Sequence, residues 1–376
     1  MSDGVFITGC GRFLPGEPVS NETMEDHIGC IHGRPSMLGR RALRWNGIET
    51  RHYALNAGGE GFDTNAGMCA KAVQAALNNA KLATSDLSFL AAATTQGDYL
   101  VPGHATAVHG ALGTRPMEIA SFQSVCGSSV MAAKSAYLNV LAGEHEVAAA
   151  CAGEFSSRWF RPSFYEGTAL VDDKGRARPE ADFLRFTLSD GAGAVVMEPQ
   201  PRKDGITLRV AFMDIVSLAH QFDPCMWAGA PVETRADLAT SWSASGPVAA
   251  HAAGAISLLQ DFQLLKRVIR AWVGVYLEKV DSKRIVPDEV DWLLCHYSAQ
   301  SLREEIVSLM EKTDAMIPER KWFSNLAKVG NVGSASIWIM LEEFLRSGKL
   351  SRGEKILCIV PESGRALVGF MMLEAV

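Results

Sequence analysis

Short apolar runs alternate along this chain with longer stretches of helical pattern. The runs Val5–Gly9, Phe89–Thr94, Val147–Ala152, Gly191–Met197, Ile206–Ile215, Val290–Cys295, Lys355–Val360 and Leu367–Leu373 read as buried strands. They are short, and most carry Gly, Pro or Asp at or near an end. Between them, Ala66–Leu82, Gly127–Leu141, Ala249–Leu277, Gln300–Lys312 and Ser334–Arg346 read as helices. The alternation predicts an α/β fold built in layers.

An internal repeat refines that picture. Cys126-Gly-Ser-Ser-Val-Met-Ala-Ala and Asn331-Val-Gly-Ser-Ala-Ser-Ile-Trp each open a mostly apolar helix, and each helix meets a glycine, Gly143 or Gly348, 17 residues after its first residue. A strand follows each, running to Glu154 in one copy and Glu362 in the other. A second apolar strand follows, from Asp190-Gly-Ala-Gly-Ala-Val-Val or Ala366-Leu-Val-Gly-Phe-Met-Met. The chain therefore reads as two related halves, residues 1–200 and 201–376, joined by the polar stretch Pro199–Asp204. Both repeated helices are apolar on nearly all faces and should lie at the centre, with function where the halves meet.

Composition narrows the function classes. The 376 residues carry 36 Lys plus Arg against 42 Asp plus Glu, a net charge of −6, which argues against a general nucleic-acid binder. The start, MSDGVFITGC, carries acid before its apolar run and does not read as a signal peptide. The quiet apolar stretch Pro247–Leu259 is interrupted by His251 and falls short of a membrane span, so no membrane insertion is expected. The eight cysteines form no CxxC pair and no zinc spacing with His, which points to reduced thiols, a cytoplasmic location and no metal. Gly9-Cys-Gly-Arg-Phe-Leu-Pro lacks the third glycine of a dinucleotide fingerprint, and no P-loop or Gly-x-Ser-x-Gly elbow occurs.

Four residues are candidates for chemistry. Cys126, in Gln123-Ser-Val-Cys-Gly-Ser-Ser, stands at a helix start, where unpaired N–H groups and the dipole favour a thiolate. His296 ends the strand Val290–Cys295, Asn331 opens the second repeated helix, and Gly364 lies in the turn after Glu362. Each has an ordinary reading when taken alone: a buried cysteine, a core histidine, an N-cap and a turn glycine. The repeat, however, brings Cys126 and Asn331 to equivalent helix starts and His296 to the same seam. A Gly364 N–H there could join that of Cys126 in an oxyanion hole.

With Leu188-Ser-Asp-Gly-Ala-Gly-Ala-Val-Val and Gly47-Ile-Glu-Thr-Arg-His added to the Cys–His–Asn order, the whole chain resembles the thiolase-fold condensing enzymes. The nearest group is β-ketoacyl-acyl-carrier-protein synthase III and its secondary-metabolite relatives. The resemblance implies an αβαβα layered fold, a homodimer and no resident cofactor. It implies an acyl thioester on Cys126, His296 and Asn331 as donors that stabilise an extender enolate, and an oxyanion hole of the Cys126 and Gly364 N–H groups. Arg41 stands where relatives that load from coenzyme A usually carry tryptophan, which favours an acyl-carrier protein as donor. Arg158 and Arg303 are candidate phosphopantetheine or carrier contacts. Val101, in Tyr99-Leu-Val-Pro, replaces a usual phenylalanine of the loop that closes the partner's acyl pocket, leaving room for more than acetate. Glu154 and Arg365 are candidate pocket residues for a cyclising variant like the synthases of dialkylresorcinol or stilbene precursors, or else an ion pair bracing the halves. Two rival functions remain: acyl transfer to an alcohol or amine, and a non-catalytic subunit of a heterodimer.

Overall fold

The computed structural model describes residues 4–376. Nine strands form its main sheet: β1 (Phe6–Phe13), β2 (Phe89–Thr94), β3 (Glu118–Gln123), β4 (Ala148–Glu154), β5 (Gly191–Glu198), β6 (Leu208–Ser217), β7 (Trp292–Cys295), β8 (Lys355–Glu362) and β9 (Leu367–Ala375). Their spatial order is β7-β8-β9-β6-β1-β5-β4-β2-β3. The two sides meet at β1 and β6, which pair through Phe6–Arg209 and Ile7–Leu208.

Each side repeats one pattern. In the first, β2 runs parallel to β4, β4 antiparallel to β5, and β5 antiparallel to β1. In the second, β7 runs parallel to β8, β8 antiparallel to β9, and β9 antiparallel to β6. The strand that would match β3 shrinks to a bridge between Leu293 and Trp322.

Helices α1 (Met37–Asn46), α2 (Asn65–Ala80), α3 (His104–Leu112), α4 (Ser128–Ala142), α5 (Phe262–Asp281), α6 (Gln300–Met310) and α7 (Ser336–Arg346) complete the layers. Alternation along the strands sends one set of side chains to each face. In the first half, Leu90, Ala92, Ala149, Cys151, Ala194 and Val196 pack with α2 and α3. In the second, Leu293, Leu357, Ile359, Phe370 and Met372 pack with α5 and α6. The remaining faces of both halves enclose α4 and α7 in one central core. This is the five-layered α/β arrangement of the thiolase fold.

Two glycines let the central helices cross the strands closely. A Cβ on Gly193 of β5 would lie 2.6 Å from Trp338 Cβ of α7, and one on Gly369 of β9 would lie 2.8 Å from Val130 Cγ2 of α4. The Asp190-Gly-Ala-Gly-Ala run is thus a strand thinned for a helix to lie on. Each central helix stops at a glycine of positive φ, 81° at Gly143 and 68° at Gly348.

One predicted helix is wrong. The stretch 249–277 is a short helix, Pro247–Ala252, then a turn through Gly254 at φ 73°, a two-residue strand Leu259–Gln260, and α5. Asp261 starts α5 by accepting from the Gln263 and Leu264 N–H groups, so the apolar run contains a break and a cap.

Candidate active site

Three chain segments bring the candidate residues to one cavity. The first is the turn into α4, where Gly127 O accepts from the Val130 and Met131 N–H groups and begins the helix. Cys126 sits just before this point, 6% exposed. The second is the end of β7, where the His296 N–H donates to Ile359 O at 2.8 Å and fixes the residue beside β8. The third is the entry to α7. There Asn331 donates its N–H to Thr187 O at 3.3 Å and accepts from the Ser189 N–H at 2.8 Å, which ties the second half to the loop leading into β5. Cys126, His296 and Asn331 all line the same cavity, with Glu154, Gln260 and Ser363 as further polar groups and Leu184, Leu188, Met226, Ile269 and Trp272 among its apolar walls.

The side chains differ in what they offer. Asn331 Oδ1 accepts from the Gly333 N–H at 2.9 Å, which leaves the Nδ2 hydrogens uncommitted. Burial pulls His296 down from 6.5 to about 4, so its ring is neutral at pH 7 and carries one N–H donor. Burial pushes the Cys126 thiol well above its ordinary value of 9.0, and Glu362 and Glu154 add to the effect. The expected helix-start thiolate is therefore corrected. Glu362 already occupies the Gly127 N–H at 2.8 Å.

The comparisons agree with this arrangement. A family model described as 3-oxoacyl-[acyl-carrier-protein] synthase III C terminal matches residues 280–370, the span that holds His296 and Asn331. The β-ketoacyl-[acyl-carrier-protein] synthase III of Rhodospirillum rubrum is 25% identical over 353 residues, covering 93% of each chain. The solved structure of AbyA1, a tetronic acid condensing enzyme, superposes with a TM-score of 0.77 at 21% identity, covering 98% of this chain and 99% of that one. A single-residue variant of OleA from Xanthomonas campestris superposes with a TM-score of 0.76 at 17% identity, covering 99% and 98%. The chain has the thiolase fold and is similar over nearly its whole length to the β-ketoacyl synthase III condensing enzymes.

The other candidates fall in several places. Gly364 lies beside the Cys126 turn, since a Cβ on it would stand 3.0 Å from Val125 Cγ2 and 2.9 Å from Glu362 Oε1. Glu154 lines the cavity, 3% exposed. Its Oε1 accepts from Thr95 N–H (3.1 Å), Thr95 Oγ1 (2.8 Å), Ser334 N–H (3.1 Å) and Ser334 Oγ (2.6 Å), while no donor among the described residues reaches Oε2. Burial lifts this carboxyl from 4.5 to about 6.

Arg365 does not share the pocket and does not pair with Glu154. It is exposed and donates from Nε to Phe222 O at 2.7 Å. The true counterpart of Glu154 is Glu362: each is the last residue of its strand, opposite Gly191 in one half and Leu367 in the other. The bracing role proposed for a Glu154–Arg365 pair belongs to Glu154 with Ser334, which reaches from the first half to the second.

Arg158 and Arg303 are engaged within the chain. Arg158 donates to Asp98 Oδ1 (2.9 Å), Gln96 O (2.8 Å) and Gly97 O (2.9 Å), holding the 96–98 loop. Arg303 pairs with Glu319 at 2.6 Å and stacks over Trp322. Val101 does not line the cavity of its own chain and is 82% exposed, beside the exposed Tyr99 and Leu100. Arg41 lies over the Trp45 ring at 4.7 Å and is exposed on α1.

Sequence reasoning missed Glu362 as a site residue. The signal was there: the repeat aligns it with Glu154, and a carboxylate ending a buried strand needs donors.

Proposed function

We propose that the chain takes an acyl group from an acyl-carrier protein onto Cys126 and condenses it with a second carrier-bound thioester. The Cys126 sulfur bonds the acyl carbon, the donor C–S bond breaks, and the thiol proton leaves on the departing sulfur. Loss of an α-proton from the second thioester gives an enolate, which attacks the Cys126-bound carbonyl; the C–S bond to Cys126 breaks, and the released sulfur takes up a proton, so that the α-proton lost is balanced by the one on the Cys126 thiol. His296 and Asn331 donate hydrogen bonds to the enolate oxygen, and the Cys126 and Gly364 N–H groups hold the oxygen of the tetrahedral intermediate. The observation that carries this reading is the convergence of Cys126, a neutral His296 and an Asn331 with uncommitted Nδ2 hydrogens on one largely apolar cavity. Neutral donors stabilise an enolate without quenching the nucleophile. The carrier-protein donor draws support from the names of the curated relatives. A homodimer is supported by the exposed side chains along edge strand β3 and by the exposed Tyr99–Val101 segment. Intact-protein mass spectrometry after incubation with acyl thioesters tests the loading step: one acyl mass should appear per chain and vanish in Cys126→Ala, and acylation persisting on another cysteine overturns the assignment.

One observation favours a second reading, in which the condensed product is also cyclised. Glu154 lines the cavity, no donor among the described residues reaches its Oε2, and burial lifts its carboxyl to about 6, which suits a base that takes a proton from a β-ketoacyl intermediate. The fold likeness to a tetronic acid condensing enzyme points the same way. In Glu154→Gln, the reading predicts normal loading of Cys126 with loss of a ring-containing product; an unchanged product, or a wild-type product without a ring, rejects it.

A further inference from the structure

Glu154 and Glu362 are equivalent by the repeat, and each reaches across to the amino end of the other half's central helix. Glu154 holds Ser334 at the entry to α7. Glu362 accepts from Ser124 Oγ on Oε1 (2.6 Å) and from the Gly127 N–H on Oε2 (2.8 Å), so its carboxylate spans the turn that carries Cys126. The fit leaves no slack: a Cβ on Gly127 would stand 2.9 Å from Glu362 Oε2. Glu362 is 3% exposed, and no Lys or Arg among the described residues lines the cavity to balance it. The titratable groups around Cys126 are Glu362 from β8, Glu154 from β4, and His296 and Tyr297 beyond β7. The nearest arginine in sequence, Arg365, turns outward to Phe222.

A helix amino end ordinarily stabilises an anion through its free N–H groups. Here a carboxylate already sits on that end, and a second negative charge beside it is disfavoured. We propose that Glu362 is a positioning residue for the nucleophile: seated on the amino end of α4, it keeps Cys126 a neutral thiol in the resting protein and confines its reactivity to a bound thioester. A neutral thiol suits the loading step, because its proton ends on the departing sulfur and no net proton is gained or lost. The proposal rests on Cys126 being the nucleophile, and it adds what sets that residue's ionisation.

The test is the rate of Cys126 alkylation by iodoacetamide as a function of pH, followed by peptide mass spectrometry. Wild type should react slowly below about pH 9. Glu362→Gln should move the midpoint to lower pH by at least about one unit, which gives about tenfold faster alkylation at pH 8. Glu362→Ala removes the carboxylate altogether and should move the midpoint the same way; this variant serves if Glu362→Gln does not fold. A rate that rises at every pH with the midpoint unmoved would mean only a loosened cavity and overturns the proposal, as does an unchanged profile in both variants. The readout needs no condensation, so a wild type that shows the predicted profiles but forms no carbon–carbon bond rejects the condensing function alone.

Discussion

Replacing Glu154 by Gln isolates the cost of a buried negative charge at the junction of the halves. Oε1 of Glu154 accepts all four of its hydrogen bonds, from Thr95 and Ser334. A glutamine carbonyl faces the same donors, and its amide nitrogen takes the place of Oε2, which no donor among the described residues reaches. The change therefore keeps an acceptor in place and removes the charge. Burial raises the Glu154 carboxyl from 4.5 to about 6 in the folded chain. Between those values the folded state binds more protons than the unfolded state, so this group's contribution to stability falls as pH rises through the window. At ~1.36 kcal/mol per pH unit, ionised Glu154 costs the fold about 2 kcal/mol at pH 7 and above. Glu154→Gln should then be more stable than wild type by about 2 kcal/mol at pH 8, a rise of ~2–3 °C in Tm for a chain of this size, and the two should converge near pH 4.5. Unfolding followed by circular dichroism across this pH range measures it. A variant less stable than wild type by the same amount at every pH would refute the reasoning, because the carboxylate's hydrogen bonds would then outweigh its desolvation.

His296→Ala should still take up an acyl group on Cys126 but lose condensation by on the order of 100-fold or more, as expected for a lost donor to the reacting oxygen. Separate loading and product assays check this, and equal loss of loading would make His296 the base for Cys126 instead. The depressed His296 also predicts a stability contribution that is present above pH 6.5 and lost as pH falls from there toward about 4; acid titration of wild type against His296→Gln would show it as a smaller loss in the variant. Gly193→Val forces a Cβ to within 2.6 Å of Trp338 Cβ, and should destabilise the chain by at least ~1–3 kcal/mol. An unchanged denaturation midpoint would contradict the close crossing of α7 over β5.

The repeat was the most readable feature, because a helix that opens on small residues and stops at a positive-φ glycine leaves a fixed spacing between Cys126 and Gly143 and between Asn331 and Gly348. It carried the fold and placed Cys126, His296 and Asn331 near one seam. Strand β3 was not legible: it is a sheet edge with exposed and half-buried residues interspersed, so it lacks the apolar run of a buried strand. The helix over 249–277 was overextended because its apolar count hides Gly254 and the capping Asp261. The ionisation of Cys126 was misjudged for a reason local sequence cannot supply: the group that fills the amino end of α4 lies 235 residues away, at Glu362. Arg365 lies beyond the strand end, and the aligned strands point instead to Glu362 as the counterpart of Glu154.

The central claim is that an acyl group carried on Cys126 is joined to a second acyl thioester by a carbon–carbon bond. The most direct measurement supplies an isotope-labelled acyl thioester for loading together with an unlabelled carrier-bound acyl or β-ketoacyl thioester, and analyses the products by mass spectrometry with fragmentation. Wild type should yield a product in which the labelled acyl carbon is bonded to the α-carbon of the unlabelled chain, and Cys126→Ala should yield none. Labelled ester or amide products without that bond, or only hydrolysed acyl groups from wild type, would contradict it.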